Sequence, residues 1–313
     1  MTNVFRIRYF LLLILFYSFS GKSQWRLDYG GGIGLSNYLG DIGGKEKTRR
    51  DFVADMKLAK TRWNLNGFVR YKMNTVWYVQ GTLDYFRIEG DDKFSTNRAR
   101  VARNLNFRND MFELSVNNQF VIKEFTDIGR DYRFRVAFRP YVGVGLGLFY
   151  SNPKALYQGE WVKLKPLTTE GVAYKSIGLC IPASIGFHFT LKRKHRIGWE
   201  LNWRTTFTDY LDDISKGWAD PSTLSDLGAE LSNRTDELDP SKFPLDYFNN
   251  FGYNPVENST NKRGDPTHND SYMTMSFNYS YIIRGKSNFY RSRYSNIFNK
   301  KRRKKNRKIR AKF

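Results

Sequence analysis

The chain has 313 residues, a formal net charge of +22 and a mean hydropathy of −0.60, and 40% of its residues are hydrophobic. These values exclude a helical membrane protein but suit either a soluble protein or a membrane β-barrel. Aromatic residues make up 17% of the chain, which favours a membrane barrel, where aromatic rings girdle both interfaces. The single cysteine, Cys180, excludes an internal disulfide and a cysteine-based metal site.

The N-terminus predicts a secretory signal peptide over residues 1–23. Arg6 and Arg8 precede an apolar run at residues 9–19, which small residues follow. We expect cleavage between Ser20 and Gln24, and an unlipidated mature chain, because no cysteine follows the apolar run. No later segment approaches about 18 consecutive apolar residues, so no other segment is predicted to span a membrane as a helix.

Apolar and polar residues alternate in eight stretches of the remaining chain. In IGWELNWRTTF, residues 197–207, Trp199 and Trp203 share one parity and Glu200 and Arg204 the other. Such a strand lies between an apolar and a polar environment. The predicted strands span residues 26–38, 63–72, 76–89, 110–123, 133–150, 176–191, 197–207 and 271–283. The pattern predicts an all-β fold: an eight-stranded antiparallel up-and-down transmembrane β-barrel with long extracellular loops, over residues 24–283.

The connections between these strands alternate in length. Those at residues 73–75, 124–132 and 192–195 are short or moderate, whereas those at 39–62, 91–109, 151–175 and 208–270 are long and polar. Outer-membrane barrels have short periplasmic turns and long external loops. We therefore expect location in the cell outer membrane with both termini in the periplasm. The alternative is a soluble sandwich or lipocalin-like barrel, which would bury its apolar parity inside.

Charged residues of both signs fall on the inward parity. A lumen of eight strands is only wide enough for side chains, so a porin is not expected, and charges there persist only when paired. The predicted lumen ion-pair network consists of Asp28, Arg70, Asp84, Glu113, Arg135, Arg139, Glu200 and Arg204.

A catalytic interpretation of the lumen is weaker. Ser184, His188 and Glu200 share the inward parity of adjacent strands and formally provide a nucleophile, a base and an orienting group. His188, however, lies near the predicted periplasmic rim, whereas a lipid-directed site should face the membrane near the outer leaflet. We expect a non-enzymatic protein without cofactors. His195 and His268 have no ligand spacing, so no metal site is predicted.

The segment after the last strand, residues 284–313, is strongly basic and contains no acidic residue. It is predicted to be a periplasmic tail that docks on anionic partners, namely acidic proteins, lipid head groups or peptidoglycan. The signal peptide argues against nucleic acid as the partner, and a disordered solvated tail is the alternative. The predicted docking residues are Lys300, Lys301, Arg302, Arg303, Lys304, Lys305, Arg307 and Lys308.

The last long loop, residues 208–270, is acidic by contrast. It includes Asp212, Asp213 and Asp270, and we expect a solvated external loop, because no EF-hand spacing indicates calcium binding. A short helix is predicted at residues 224–231.

The stretch GGGIGLSNYLGDIGG, residues 30–44, resembles the opening motif of the PorG-like barrel proteins of the Bacteroidetes type IX secretion and gliding machinery. The motif residues are Ser36, Asn37, Tyr38, Gly40 and Asp41. The resemblance implies a non-enzymatic barrel that associates through its periplasmic side with lipoprotein and ring proteins. From the residues alone, we expect Tyr38 in an aromatic girdle, Gly40 at a turn with positive φ, and Asp41 bonded to the backbone just beyond it.

Together these observations predict an outer-membrane barrel, in contact with outer-membrane lipid, that anchors or organises a periplasmic secretion or gliding assembly. Two alternatives remain: an outer-membrane enzyme that modifies lipids, and a surface barrel that binds a ligand through its external loops.

Overall fold

A computed structural model describes residues 27–43, 58–126, 136–192, 194–239 and 263–283. The predicted signal peptide, Arg135, the basic tail and residues 240–262 of the acidic loop lie outside the described residues. Eight long strands form one sheet. They are β1 (Leu27–Leu39), β2 (Arg62–Lys72), β3 (Trp77–Asp91), β4 (Asn106–Val121), β5 (Val136–Tyr150), β6 (Ile177–Leu191), β7 (His195–Thr206) and β8 (Ser271–Ile283).

Each strand pairs antiparallel with its neighbours in sequence, and the ladder closes on itself. The first and last strands pair along their whole length, from Leu27 opposite Ile283 to Leu39 opposite Ser271. The β4–β5 pairing, with Phe112 opposite Tyr150, completes the circuit. The predicted eight-stranded antiparallel up-and-down barrel is therefore confirmed.

The two ends of the barrel differ. At the turn end, where β1 starts and β8 stops, the strand connections are short or moderate in length. A two-residue strand, Phe125–Thr126, pairs with β5 there. At the loop end, the long connections fold into additional structure. It comprises helices α1 (Arg98–Arg103) and α2 (Asp226–Ser232), a hairpin of two strands (Pro153–Tyr157 and Glu160–Lys163), and single-turn helices at Leu58–Lys60, Asp92–Phe94, Lys165–Leu167, Pro221–Thr223 and Thr235–Glu237.

Helix α2 confirms the predicted helix in the acidic loop. The Ser225 side chain caps its N-terminus by accepting a hydrogen bond from the Gly228 amide, and Leu231 packs against the hairpin residue Ala155. The hairpin and α1 were not predicted. Within the described part of the chain, no helix is both long and apolar enough to cross a membrane.

The outer and inner faces of the strands lie in different environments. Outward residues such as Ile33, Leu83, Leu114 and Ile185 are about half exposed or more, whereas the inward residues of the same strands are buried. The buried apolar core lies at the loop end, where Phe86, Ile88, Phe107, Met111, Leu211, Ile214 and Tyr272 pack together. The lumen below this core is lined mainly by polar side chains.

Candidate functional site

The lumen begins at the turn end with one carboxylate shared by two arginines. Asp28 Oδ2 lies 2.5 Å from Arg196 Nη1 and 3.4 Å from Arg70 Nη1, and it accepts a hydrogen bond of 3.2 Å from the Ser280 hydroxyl. All four side chains are buried. Arg196 was not in the predicted network, because the basic sequence around residue 195 reads as a turn. Strand β7 nevertheless starts at His195 and turns Arg196 inward.

Neutral donors surround Glu200 in the middle of the lumen. Its carboxylate accepts hydrogen bonds from Tyr141 (2.5 Å), Asn202 (2.6 Å) and Gln119 (3.1 Å). Gln119 also donates to Gln80 at 3.0 Å. Glu200 was predicted to form an ion pair, but among the described residues its hydrogen bonds come from these uncharged groups. Hydrogen-bonded amide side chains thus continue the polar network across the lumen.

Arg204 forms the upper part of the network, towards the loop end. Its Nε lies 2.8 Å from Glu113 Oε2 and its Nη2 lies 3.3 Å from Asp84 Oδ2, while Nη1 donates to the Thr274 hydroxyl. The Tyr272 hydroxyl donates to the same Glu113 oxygen at 2.9 Å, and the guanidinium lies 5.7 Å from the Tyr272 ring centroid. One arginine therefore pairs with two buried carboxylates.

A small cavity lies between these groups. It has room for about one water molecule and is lined by polar side chains that include Asn66, Asn117 and Asn202. The side-chain oxygens of these three asparagines have no protein hydrogen-bond partner among the described residues. Buried side chains occupy the lumen along this stretch, as expected for a barrel of eight strands.

Arg139, the remaining described member of the predicted network, lies apart from it. Its guanidinium pairs with Glu124 at the turn end and donates to the Tyr78 hydroxyl at 3.3 Å. The Glu124 side chain is 35% exposed, so this pair belongs to the rim of the barrel rather than to the buried network.

The three groups considered for catalysis do not form a relay. Among the described residues, neither the Ser184 hydroxyl nor either ring nitrogen of His188 has a hydrogen-bond partner. The His188 ring packs between Tyr141 and Tyr78, with centroid distances of 5.7 and 6.4 Å. No group of three or more His, Cys, Asp or Glu side chains in the described chain is arranged to hold a metal ion.

The motif SNYLGD connects the end of β1 to the loop-end structure. Ser36 donates to the Arg87 carbonyl at 2.5 Å, and Asn37 donates to the Thr61 hydroxyl at 3.0 Å. Tyr38, expected in an outer girdle, is instead 6% exposed and donates to Asp270 at 2.6 Å. The expectation for Tyr38 was wrong because Tyr38 shares the inward parity of Asp28 and Ser36, so its ring enters the loop-end core, against Phe107.

One further expectation about this motif is corrected. Gly40 does not have a positive φ; a Cβ at this position would lie 1.8 Å from the Tyr38 hydroxyl, so its role is to leave space for that ring. Asp41 contributes a long-range contact. Its carboxylate accepts the Asp265 amide at 2.9 Å, from a residue 224 positions away in the sequence. The motif therefore joins distant loops.

Two buried arginines hold these loops together in what we call the loop-end cap, residues 40–43, 91–105, 151–176, 207–239 and 263–270. Arg103 lies 2.7 Å from Asp92 and donates to the backbone carbonyls of Asp41 and Arg263. Arg263 lies 3.0 Å from Glu170 and donates to the Asp213 carbonyl. The cap is thus cross-linked by charge-assisted hydrogen bonds.

The expectation of a solvated acidic loop was wrong for Asp212, Asp213 and Asp270, although Asp220, Asp226, Glu230, Asp236, Glu237 and Asp239 are exposed. Asp212, Asp213 and Asp270 are at most 2% exposed. Burial, with the nearby Asp41 carboxylate, raises the pKa of Asp212 to about 7. Burial also raises the pKa of Asp213 to about 6, although Thr169 and Tyr174 donate hydrogen bonds to its carboxylate. These acids are interior groups of the cap.

Aromatic residues mark two levels on the outside of the barrel. Near the loop end, Trp63, Tyr85 and Phe112 form a row, with ring centroids 4.8 and 4.4 Å apart. Near the turn end, Trp77 stacks on Phe120 with a centroid distance of 6.5 Å. Most outward residues between the two levels, such as Leu83, Leu114 and Val116, are apolar. Such paired girdles flank the lipid-facing band of membrane barrels.

The fold and its filled lumen define a closed eight-stranded β-barrel with an apolar outer band, sealed at the loop end by a folded cap. The chain belongs to the family described as a domain of unknown function (DUF6089), whose profile matches residues 6–258. No curated protein matches the sequence.

Two solved structures with a similar course of the chain are the attachment invasion locus protein Ail of Yersinia pestis and the outer membrane protein OprG from Pseudomonas aeruginosa. Ail has 11% sequence identity and a TM-score of 0.34, with coverage of 82% of this chain and 99% of Ail. OprG has 10% identity and a TM-score of 0.34, with coverage of 84% of this chain and 98% of OprG. The strand pairing of this chain defines the barrel independently of these similarities.

Proposed function

We propose that this protein is an integral outer-membrane barrel, closed to solutes, which anchors a periplasmic assembly of the type IX secretion or gliding machinery. The observation that carries the proposal is the combination of a filled, ion-paired lumen with an apolar, girdled exterior. A barrel with this arrangement does not form a channel, so we expect its activity at its two ends. The proposal assigns no catalytic residue.

The dimensions of the apolar band support the membrane placement. The two aromatic levels are eight residues apart on β4, from Phe112 to Phe120. Eight residues span about 26 Å along a strand, or roughly 20 Å along the barrel axis at a tilt of about 40°. This is close to the apolar band of about 25 Å found on outer-membrane barrels.

Two sequence features support the periplasmic assembly. The opening motif at residues 36–41 resembles that of the PorG-like proteins, and the tail after Ile283 carries the docking residues Lys300 to Arg303 within a longer basic run. In this proposal the turn end faces the periplasm, where the tail contacts acidic surfaces of lipoprotein and ring proteins, or peptidoglycan.

The experiment on the barrel itself is reconstitution into planar bilayers. We expect the protein to insert and to give no steady ion conductance at neutral pH. Stable open channels of porin size would overturn the closed-barrel part of the proposal, and failure to insert into bilayers or vesicles would overturn the membrane placement.

The experiment on the assembly is co-purification from detergent-solubilised outer membranes. Deletion of residues 284–313 is expected to abolish recovery of the periplasmic partners while the barrel still inserts. A scrambled tail of the same composition serves as the matched control for charge alone. If the truncated barrel retains the same partners as the native chain, the docking role of the tail is wrong.

A further inference from the structure

Three cations form a row across adjacent strands on the outside of the barrel near the loop end. Arg108 on β4 lies opposite Lys154 of the hairpin, and Lys154 lies opposite Lys163 on the second hairpin strand. Lys154 and Lys163 are on the outer face of the hairpin, because the alternate residues Ala155 and Leu164 pack inward in the cluster with α2. Directly opposed like charges destabilise a sheet.

Nearby acids do not balance this row. Asp110 pairs with Arg87 at 2.6 Å and approaches Arg108 at 3.5 Å. Glu89 lies opposite Arg108 in the β3–β4 ladder, but it pairs with Arg62 at 2.5 Å. The patch therefore contains five cations and two acids, a net charge of +3.

An exposed tryptophan adjoins the row. The Trp161 ring lies 5.1 Å from the Arg108 guanidinium, and Trp161 is 37% exposed. Arginine held over an aromatic face keeps a fixed orientation while its outer N–H groups remain available. The surface thus combines the ammonium groups of the lysines with an oriented guanidinium. Both kinds of group donate charge-assisted hydrogen bonds to phosphate oxygens.

The position of the row identifies its environment. Arg108 lies four residues beyond Phe112 of the loop-end girdle on β4. Four residues correspond to about 13 Å along a strand, or roughly 10 Å along the barrel axis. The two girdle levels are roughly 20 Å apart, so each lies about 5 Å inside the edge of a hydrocarbon core of about 30 Å. The row then lies about 5 Å beyond that edge, within the head-group layer, which adds roughly 5–8 Å on each side of the membrane core.

We propose that Arg108, Lys154 and Lys163 bind the phosphate groups of anionic lipid head groups in the leaflet on the loop-end side. The proposal rests on the membrane placement proposed above. A lipid is the occupant because the cationic row continues directly from the lipid-facing band. One lipid molecule can therefore contact the band with its acyl chains and the row with its head group. The bound phosphate offsets the mutual repulsion of the three cations.

The experiment uses the full chain in nanodiscs of neutral phosphatidylcholine, titrated with diphosphorylated lipid A. The variant Lys154→Gln/Lys163→Gln removes two charges from the outer face. The control Lys72→Gln/Lys123→Gln removes two charges near the turn end. We expect the first variant to bind about 30-fold more weakly, because each cation near an anionic surface contributes about 1 kcal/mol, and the control to bind like the native chain.

The second part of the experiment repeats the titration with dephosphorylated lipid A. The native chain is expected to prefer the phosphorylated form, and the row variant to lose that preference. Equal binding of both forms by the native chain, or equal losses in the row and control variants, would overturn the proposal. A heat-induced shift in electrophoretic mobility reports that each variant is folded. Failure of the native chain to enter nanodiscs would refute the membrane placement instead, so the two failures are distinguishable.

Discussion

Removal of the Arg204 side chain is the most direct test of the lumen network. Arg204 is 2% exposed and contacts both Glu113 and Asp84, so Arg204→Met leaves two buried carboxylates without their cation. Breaking a buried ion pair from one side costs about 3–5 kcal/mol. We expect the free energy of unfolding to fall by about this amount, measured by guanidinium titration of tryptophan fluorescence in lipid vesicles.

Two matched variants make this test specific. Arg139→Met removes a cation that pairs with Glu124 at the partly exposed turn end, and it should cost about 1 kcal/mol or less. The triple variant Arg204→Met/Asp84→Asn/Glu113→Gln removes all three charges at similar volume and should recover most of the loss. The reasoning would be refuted if the free energy of unfolding of Arg204→Met were within about 1 kcal/mol of that of the native chain. It would also be refuted if the triple variant were no more stable than Arg204→Met.

The loop-end cap is expected to loosen as the pH rises. The pKa of Asp213 is raised to about 6 and that of Asp212 to about 7, above the ordinary 3.8, so their protonated forms favour the folded cap. This stabilisation is complete below about pH 4 and is lost as the pH rises through about 6 and 7. Amide hydrogen exchange in the cap, corrected for intrinsic rates, should be faster at pH 8 than at pH 5. Asp213→Asn should reduce the difference, and a native cap with equal protection at both pH values would contradict this account. In the barrel wall, a Cβ at Gly34 would lie 1.9 Å from the Met275 carbonyl oxygen, whereas one at Gly81 meets no atom within 4 Å. Gly34→Ala should therefore prevent the heat-modifiable folded form seen on electrophoresis, while Gly81→Ala folds normally; similar folding of both variants would show that the wall adapts. Cys180 is 0% exposed, so a water-soluble maleimide should label it only after unfolding; rapid labelling of the folded chain would mean that the lumen admits solutes.

The strands were predictable because their pattern is local. Within the lipid-facing band the environment changes at every residue, and the alternation of Leu114 and Val116 with Glu113 and Ser115 is visible in the sequence itself. The alternation disappears beyond the band, where both faces carry polar residues. For this reason β4 was predicted to start at residue 110, although it starts at Asn106.

The contacts of the cap were not predictable from the sequence in this way. Its acids appear as solvated residues in a polar loop, because their partners are distant: Asp41 meets Asp265 across 224 residues and Arg103 meets Arg263 across 160. Composition reports the charge of a segment but not its burial. Within the lumen, the sign and parity of Arg204, Glu113 and Asp84 were predicted, whereas the assignment of Glu200 to uncharged donors depends on side-chain geometry.

The shared carboxylate of Asp28 has a consequence for the order of assembly. Asp28 lies on the first strand, and its partners Arg70, Arg196 and Ser280 follow 42, 168 and 252 residues later. Contacts between such distant residues form late and slow the folding of β proteins. In a chain that emerges N-terminus first, Asp28 can meet Arg70 early, but Arg196 and Ser280 reach it only after most of the sequence has emerged. The first strand therefore holds an incompletely paired carboxylate, which favours contact with water, until the last strand arrives.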